Sequence, residues 1–310
     1  MSDVTVTSDA ALETRKSWSR RLRARFLRSE GLRGYVLLSP TLIVMGITMC
    51  IPFGIMVAMS FWSQSGFEVD TAFTLKNYQE AIDRPLYEAL LIRSVMISGT
   101  CTLATVLISY PMAYYVAFHV HKRKLLWIIL MTLPFWTSYL LRVFSWKIIL
   151  GYNGVINSGL KSLGLIDEPL TFLLYSPTAI VITLAHAWAA FAILPIYVSL
   201  EKIDRSLLEA AADLGEGPVG RFLRVTLPLS LPGVIAAMLM IFIPTVGDYV
   251  TPALVGGPDG LMLANIIEVQ FGRVNDWPMG AALSIMMMIA IGLITVIYVW
   301  MTRMITRRIA

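Results

Sequence analysis

Six apolar runs, each long enough to cross a hydrocarbon core of about 30 Å as a helix, dominate the chain: Tyr35 to Trp62, Ala89 to Phe118, Leu125 to Leu150, Pro177 to Leu200, Leu231 to Pro252 and Gly280 to Thr302. In lipid every backbone N–H and C=O must be satisfied within the structure, which leaves only helices or closed barrels. The runs are continuous rather than alternating, and that favours helices. The expected fold is therefore an all-α integral membrane protein with six transmembrane helices. With 57% of 310 residues apolar and 15% charged, too little charge remains to coat a soluble two-domain enzyme.

The basic residues lie beside the spans rather than on one continuous face, so the net charge of +5 reads as topological and not as a nucleic-acid footprint. Eighteen Lys and Arg fall in the tail before Tyr35, the 119–124 linker, the 201–230 loop and the C-terminal end, against four (Lys76, Arg84, Lys161, Arg273) in the alternate loops. This bias places both termini and the 201–230 loop in the cytoplasm. The expected organisation is a basic cytoplasmic tail over 1–34, in reach of anionic lipid, a six-helix domain over 35–302 and a short cytoplasmic end over 303–310. The first span is too long for the apolar region of a cleavable signal, so it is expected to stay in the membrane. Cys50 and Cys101 fall inside spans and read as packing residues.

The loop between the fourth and fifth spans carries the functional signal. Asp204 or Ser206 suits a helix N-cap, and Ser206 with Glu209 fits an S-x-x-E capping box. Gly215 or Gly217 is placed to end that helix, and Pro218 suits the first turn of a second short one. Leu207, Ala211 and Leu214 share a face at helical spacing. The result is an elbow of about 25 residues. Its Gly215–Gly220 spacing imitates a phosphate loop, but Arg221 and Phe222 stand where Lys and Ser/Thr belong and no strand precedes it. No ATP site is expected in this chain. His119, His121 and His186 supply no convergent metal ligands or nucleophile and base, so neither a metal site nor a catalytic residue is expected.

Glu209-Ala210-Ala211, three residues, Gly215, nine residues, Val225, one residue and Leu227-Pro228 resembles the EAA signature of ABC importer permeases, with Val where Ile is usual. That resemblance implies the type I importer permease fold in a bacterial inner membrane. It makes the elbow a coupling helix that docks on an ATPase subunit, with Glu209, Ala210, Ala211, Leu214, Gly215, Leu227 and Pro228 in that role. Leu133 to Ser138 followed by Arg142, and Gly247 to Pro252 leading to Gly256-Gly257, are similar to the spermidine/putrescine branch. Such permeases pair with a second permease, two ATPase subunits holding ATP and Mg, and a periplasmic binding protein.

Asp248 follows Pro244 and Gly247 near the outer end of the fifth span. An unpaired charge on a lipid face costs about 2.5 kcal/mol or more, so it should face protein or a wet pathway. It reads either as a group that meets a passing ammonium, or as a partner of Arg142 or Lys147, or as an interfacial hydrogen-bonding group. Trp136, Tyr139 and Tyr249 are placed to add cation–π attraction or to pack. Arg142 would repel a cation unless neutralised. The 253–279 segment reads as a short surface helix that helps seat the binding protein. Polyamine is the expected cargo; an amino-acid derivative, opine or aminophosphonate in the same importer class is the first alternative. An ATP-independent secondary transporter is the remote one, lacking visible inverted repeats or ion sites.

Overall fold

A computed structural model describes residues 30–66 and 68–309. It divides into two units, one ending at Ala58 and the other beginning at Met59. Of the basic tail expected over 1–34, residues 1–29 lie outside the described residues. The described residues of the first unit lie in one long helix, α1 (Glu30–Met59), with Pro40 and Pro52 inside it.

The second unit opens with a small hairpin, β1 (Ser63–Ser65) against β2 (Glu68–Asp70), antiparallel with Ser63 opposite Asp70. It is a local exception to the all-α expectation. There follow α2 (Lys76–Asp83), α3 (Pro85–Phe118), α4 (Lys124–Thr132), α5 (Tyr139–Leu150), α6 (Val155–Ser162) and α7 (Pro177–Glu201). The chain continues through α8 (Arg205–Asp213), α9 (Pro218–Arg221), α10 (Leu227–Val246), α11 (Leu263–Val269) and α12 (Trp277–Ile309). Among the described residues five helices are long and apolar enough to cross a membrane, or six if the bent pair Lys124–Trp136 and Tyr139–Ser162 is counted as one span.

The core lies where α3, α7 and α10 cross. Small residues let the backbones approach: Ala113 and Ala117 from α3, Ala192 from α7, and Ala237 from α10 are buried beside Ile193, Ile196 and Ile241. Close packing of this kind replaces the hydrophobic drive that a bilayer does not provide. Hydrogen bonds stitch the same helices. Tyr110 and Ser230 share a buried hydroxyl pair at 2.8 Å, and Ser109 Oγ donates to the Ala189 carbonyl at 3.3 Å. At the elbow end of the bundle, Lys124 Nζ donates to both Glu201 oxygens at 2.8 and 2.9 Å and to the Ala117 carbonyl at 3.1 Å. One ammonium thus gathers the ends of α3, α4 and α7.

The third run is not the straight helix expected over Leu125 to Leu150. A 3-10 turn at Leu133–Trp136 interrupts it, and the two limbs meet at 84°. Pro134 withholds a donor inside that turn, and Thr137 is extended (φ −81°, ψ 155°), so the α-helical ladder cannot pass. The fifth span also begins earlier than Leu231. From Pro218 the chain runs through α9 and a π-turn at Phe222–Thr226 into α10 without leaving the helix, and it ends at Val246 rather than Pro252. The last helix continues past Thr302 to Ile309. Nor is the 253–279 segment a surface helix. Leu263 and Ala264 of α11 are buried with Leu90, Val246, Met279 and Leu283, and Ser94 Oγ accepts from Leu263 N at 2.9 Å.

Gly233 sits where α10 crosses α7, and a Cβ there would collide with Ser199 Cβ and the Pro195 carbonyl. Gly99 on α3 has nothing within 4 Å of that position. Gly233→Ala should therefore lower the thermal aggregation midpoint of the detergent-solubilised protein by an overpacking cost of about 1–3 kcal/mol. Gly99→Ala should leave it unchanged or raised; equal losses would contradict the crossing.

Candidate functional site

The elbow is built by three local devices. Asp204 precedes α8 as its N-cap, its Oδ1 accepting from Ser206 N at 3.0 Å. Asp204 therefore takes the cap, and Ser206 lies inside the helix, so the Ser206–Glu209 box is not formed. The same backbone donor holds the Asp204 carboxyl below its usual range, so the stability this cap adds is complete above the ordinary carboxylate range and is lost as pH falls from there through the lowered value. At the other end Glu216 N donates to Ala211 O at 3.0 Å and Gly215 N to Ala212 O at 2.9 Å. This is a Schellman turn, and it requires Gly215 at φ +87°. Glu216 then folds back over Gly220 and pairs with Arg224 of the π-turn.

Burial sorts the elbow residues. Ala211 is buried, on a helix that lies against the π-turn. Leu214 is 86% exposed, and Leu207, Glu209 and Ala210 face outward with it. Glu209 has no hydrogen bond or ion pair among the described residues. Leu227 belongs to the packing against the α3–α7–α10 core, and Pro228 beside it is half-buried. The signature therefore divides into an exposed apolar and acidic face at one end and an anchor in the bundle at the other.

At the opposite end of the bundle lies the Asp248 cluster. Tyr139 Oη donates to Asp248 Oδ2 at 2.5 Å and lies 2.6 Å from Thr251 Oγ1. Asp248 Oδ1 accepts from Val250 N at 2.9 Å and Thr251 N at 3.4 Å. The carboxylate thus caps the helical turn that follows and ties the third span to the fifth. It pairs with neither Arg142 nor Lys147. Arg142 Nη1 donates to the Ala187 carbonyl at 3.0 Å, and its guanidinium stands 5.3 Å from the Phe135 ring centroid and 6.0 Å from that of Tyr139. Lys147 Nζ lies 6.0 Å from the Tyr175 ring. Trp136 is 79% exposed on the bent limb.

Tyr249 turns elsewhere. It lines a cavity of about 920 Å³ between α10, α11, the π-turn at Gln270–Val274 and α12, together with Ile267, Glu268, Phe271, Ser284 and Gly292. Asn265 Nδ2 donates to the Tyr249 carbonyl at 2.7 Å, fixing this wall. Glu268 is the one ionisable acidic or basic group in the lining. It escaped the sequence reading because it stands in Ile266-Ile267-Glu268-Val269, a stretch read for its apolar residues; a carboxylate inside such a stretch is the signal that would have found it.

Bundle and elbow together define a membrane permease, a chain that transports rather than catalyses. The chain belongs to the family described as binding-protein-dependent transport system inner membrane component, whose model it matches over residues 37–310, and it is a multi-pass inner-membrane protein. It is 38% identical over 241 residues to the spermidine/putrescine transport system permease protein PotB of Escherichia coli K12, covering 78% of this chain and 87% of that one. To PotB of Haemophilus influenzae it is 34% identical over 260 residues, 84% and 90% of the two chains. The inner membrane ABC transporter permease protein YdcU of Escherichia coli is 33% identical over 286 residues, 86% and 89%. Among solved structures, a bacterial ABC transporter that imports the acidic polysaccharide alginate aligns at TM-score 0.68 and 18% identity, covering 94% of this chain and 99% of that one. The alginate transporter in complex with alginate pentasaccharide-bound periplasmic protein aligns at 0.73 and 16%, with 92% and 98% covered. At these identities the likeness establishes the fold.

The Tyr139–Asp248 bond joins two spans in a part-buried position. Tyr139→Phe leaves the carboxylate short of a donor and should cost about 1.5–3 kcal/mol, the range for a hydrogen bond to a charged group. Asp248→Asn should cost a comparable amount, and the double variant less than the sum, because the two groups share one interaction. Thermal midpoints of the four proteins give the coupling; strict additivity would show that the contact is not made.

Proposed function

We propose that the chain is one pore-forming permease subunit of an ATP-driven polyamine importer. In this reading it pairs with a second, homologous permease. Two cytoplasmic ATPase subunits hold ATP and Mg, and a periplasmic binding protein delivers spermidine or putrescine. Both termini and the elbow face the cytoplasm, as the basic bias of the loops requires. The relatives named for spermidine/putrescine transport support the cargo class.

The observation that carries the coupling role is the continuity of the elbow with a span. Leu214, Glu209 and Ala210 present an exposed face, and only the short turn through Gly217 separates that face from the continuous helix that begins at Pro218. The Schellman turn, the Glu216–Arg224 pair and the π-turn pass directly into the span. Closure of an ATPase against this face would tilt α10 as one body. The far end of α10 is tied to the third span through Asp248 and Tyr139 and to α11 through Tyr249 and Asn265, so its tilt reaches the part of the bundle where cargo enters. Glu209 supplies a charge for a basic partner group, a contact worth about 1.5–3 kcal/mol. Leu214 supplies an apolar knob, and Gly215 the turn that presents it.

Glu209→Ala and Leu214→Asp should weaken co-purification of the ATPase about tenfold or more, as loss of one charged or buried anchor predicts. Membrane insertion should be unchanged, and labelled spermidine uptake into proteoliposomes should fall in parallel. Normal association with normal uptake in both variants would overturn the coupling assignment.

A further inference from the structure

The cavity beside Tyr249 holds an uncompensated charge. Its walls are almost entirely apolar, from Ile243 and Ile267 to Met287, Met288 and Ile291, and no Lys, Arg or His lines it. Glu268 makes no ion pair or hydrogen bond among the described residues, whereas Glu80, Glu201 and Glu216 are each paired with a basic side chain and Asp248 is held by three donors. Glu268 is exposed at the open side of this cavity, where a cation has direct access to its carboxylate. Space is kept for such a visitor. Gly272, one turn along the same face, places no side chain over the carboxylate; a Cβ there would stand 3.4 Å from Glu268 Oε1. A second polar atom in the lining is idle as well, since Thr295 Oγ1 is buried without a partner.

Two aromatic rings share the lining with this charge, Tyr249 and Phe271. Phe271 is held edge-on to Trp277 at a centroid distance of 6.2 Å, and it packs so closely on Gly280 that a Cβ there would come 3.0 Å from the ring. The Tyr249 backbone is fixed by Asn265. A carboxylate that shares a cavity with two aromatic rings, one of them held in place, is a receiver for an organic ammonium: the carboxylate gives the charge contact and the rings a cation–π contribution. The apolar walls suit the methylene spacers between successive amines.

We propose that Glu268, with Tyr249 and Phe271, is an ammonium-receiving station for the cargo at the end of the bundle opposite the elbow. Asp248, the carboxylate the sequence singles out, is a structural joint beside it. This assignment rests on the polyamine reading, because a carboxylate station requires a cationic cargo.

The test uses the complete transporter in proteoliposomes with saturating spermidine-loaded binding protein. Glu268→Gln should lower spermidine uptake about tenfold or more, the factor for losing one charge-assisted contact. Glu268→Asp should retain most of the uptake, and Glu268→Lys should abolish it. Co-purification of the ATPase and the partner permease should be normal in all three. Wild-type uptake from Glu268→Gln and Glu268→Lys would overturn the station while leaving the polyamine reading intact. Loss of the partner permease from Glu268→Gln would also overturn it, marking the carboxylate as a subunit contact. If the wild-type complex takes up no spermidine, the polyamine reading fails and the station falls with it.

Discussion

Backbone hydrogen bonding in apolar surroundings decides where this chain is able to bend. A soluble helix that breaks finds water for its freed carbonyls; a membrane helix must find protein. Two interruptions in the second unit show the repair. Where α10 ends, Asp248 takes up the amides of Val250 and Thr251. Where the chain enters α11, Asn265 Oδ1 accepts from Met262 N at 3.0 Å and Ser94 Oγ from Leu263 N. The π-turn at Phe222–Thr226 admits an extra residue without abandoning the helix, whereas those at Pro252–Gly256 and Gln270–Val274 close their segments at Gly257 and Asn275; such turns recur at functional sites.

These repairs have a mechanical consequence. A helix joined to the elbow by a π-turn transmits a push, whereas a loop would absorb it. The bundle centre transmits it further because it is close-packed: Ala113, Ala192 and Ala237 are fully buried, and packed interfaces shift between discrete arrangements rather than deforming. The Lys124–Glu201 clasp keeps the ends of α3, α4 and α7 together, and α10 joins the same packed centre through Ser230 and Tyr110.

Much of this was legible in the residues, and the limits have physical causes. The fourth span starts at Pro177 as expected, because proline suits the first helical turn and Ser176 Oγ caps it by accepting from Ala179 N at 3.2 Å. Gly215 was readable as a helix stop because only glycine takes φ +87° without strain. The cap was ambiguous: Asp204 and Ser206 both have the chemistry, and only the backbone trajectory chooses between them. Pro134 signals a break but carries no angle, so the 84° bend depends on tertiary packing. The run from Pro218 into α10 was hidden because a π-turn leaves no compositional mark. Asp248 and Glu268 are both acidic residues in apolar company; what separates them is a tyrosine 109 positions away in the chain, which no local pattern contains.

The claim that elbow and fifth span form one lever is open to direct measurement. Spin labels at Asp213 and Met240, both exposed, would report their separation by pulsed electron resonance in the assembled transporter. The account predicts one narrow distance distribution, unchanged between nucleotide-free and ATP-bound states, while a label pair from Asp213 to Leu125 at the start of α4 shifts between them. A broad Asp213–Met240 distribution, or one that moves with nucleotide, would contradict it.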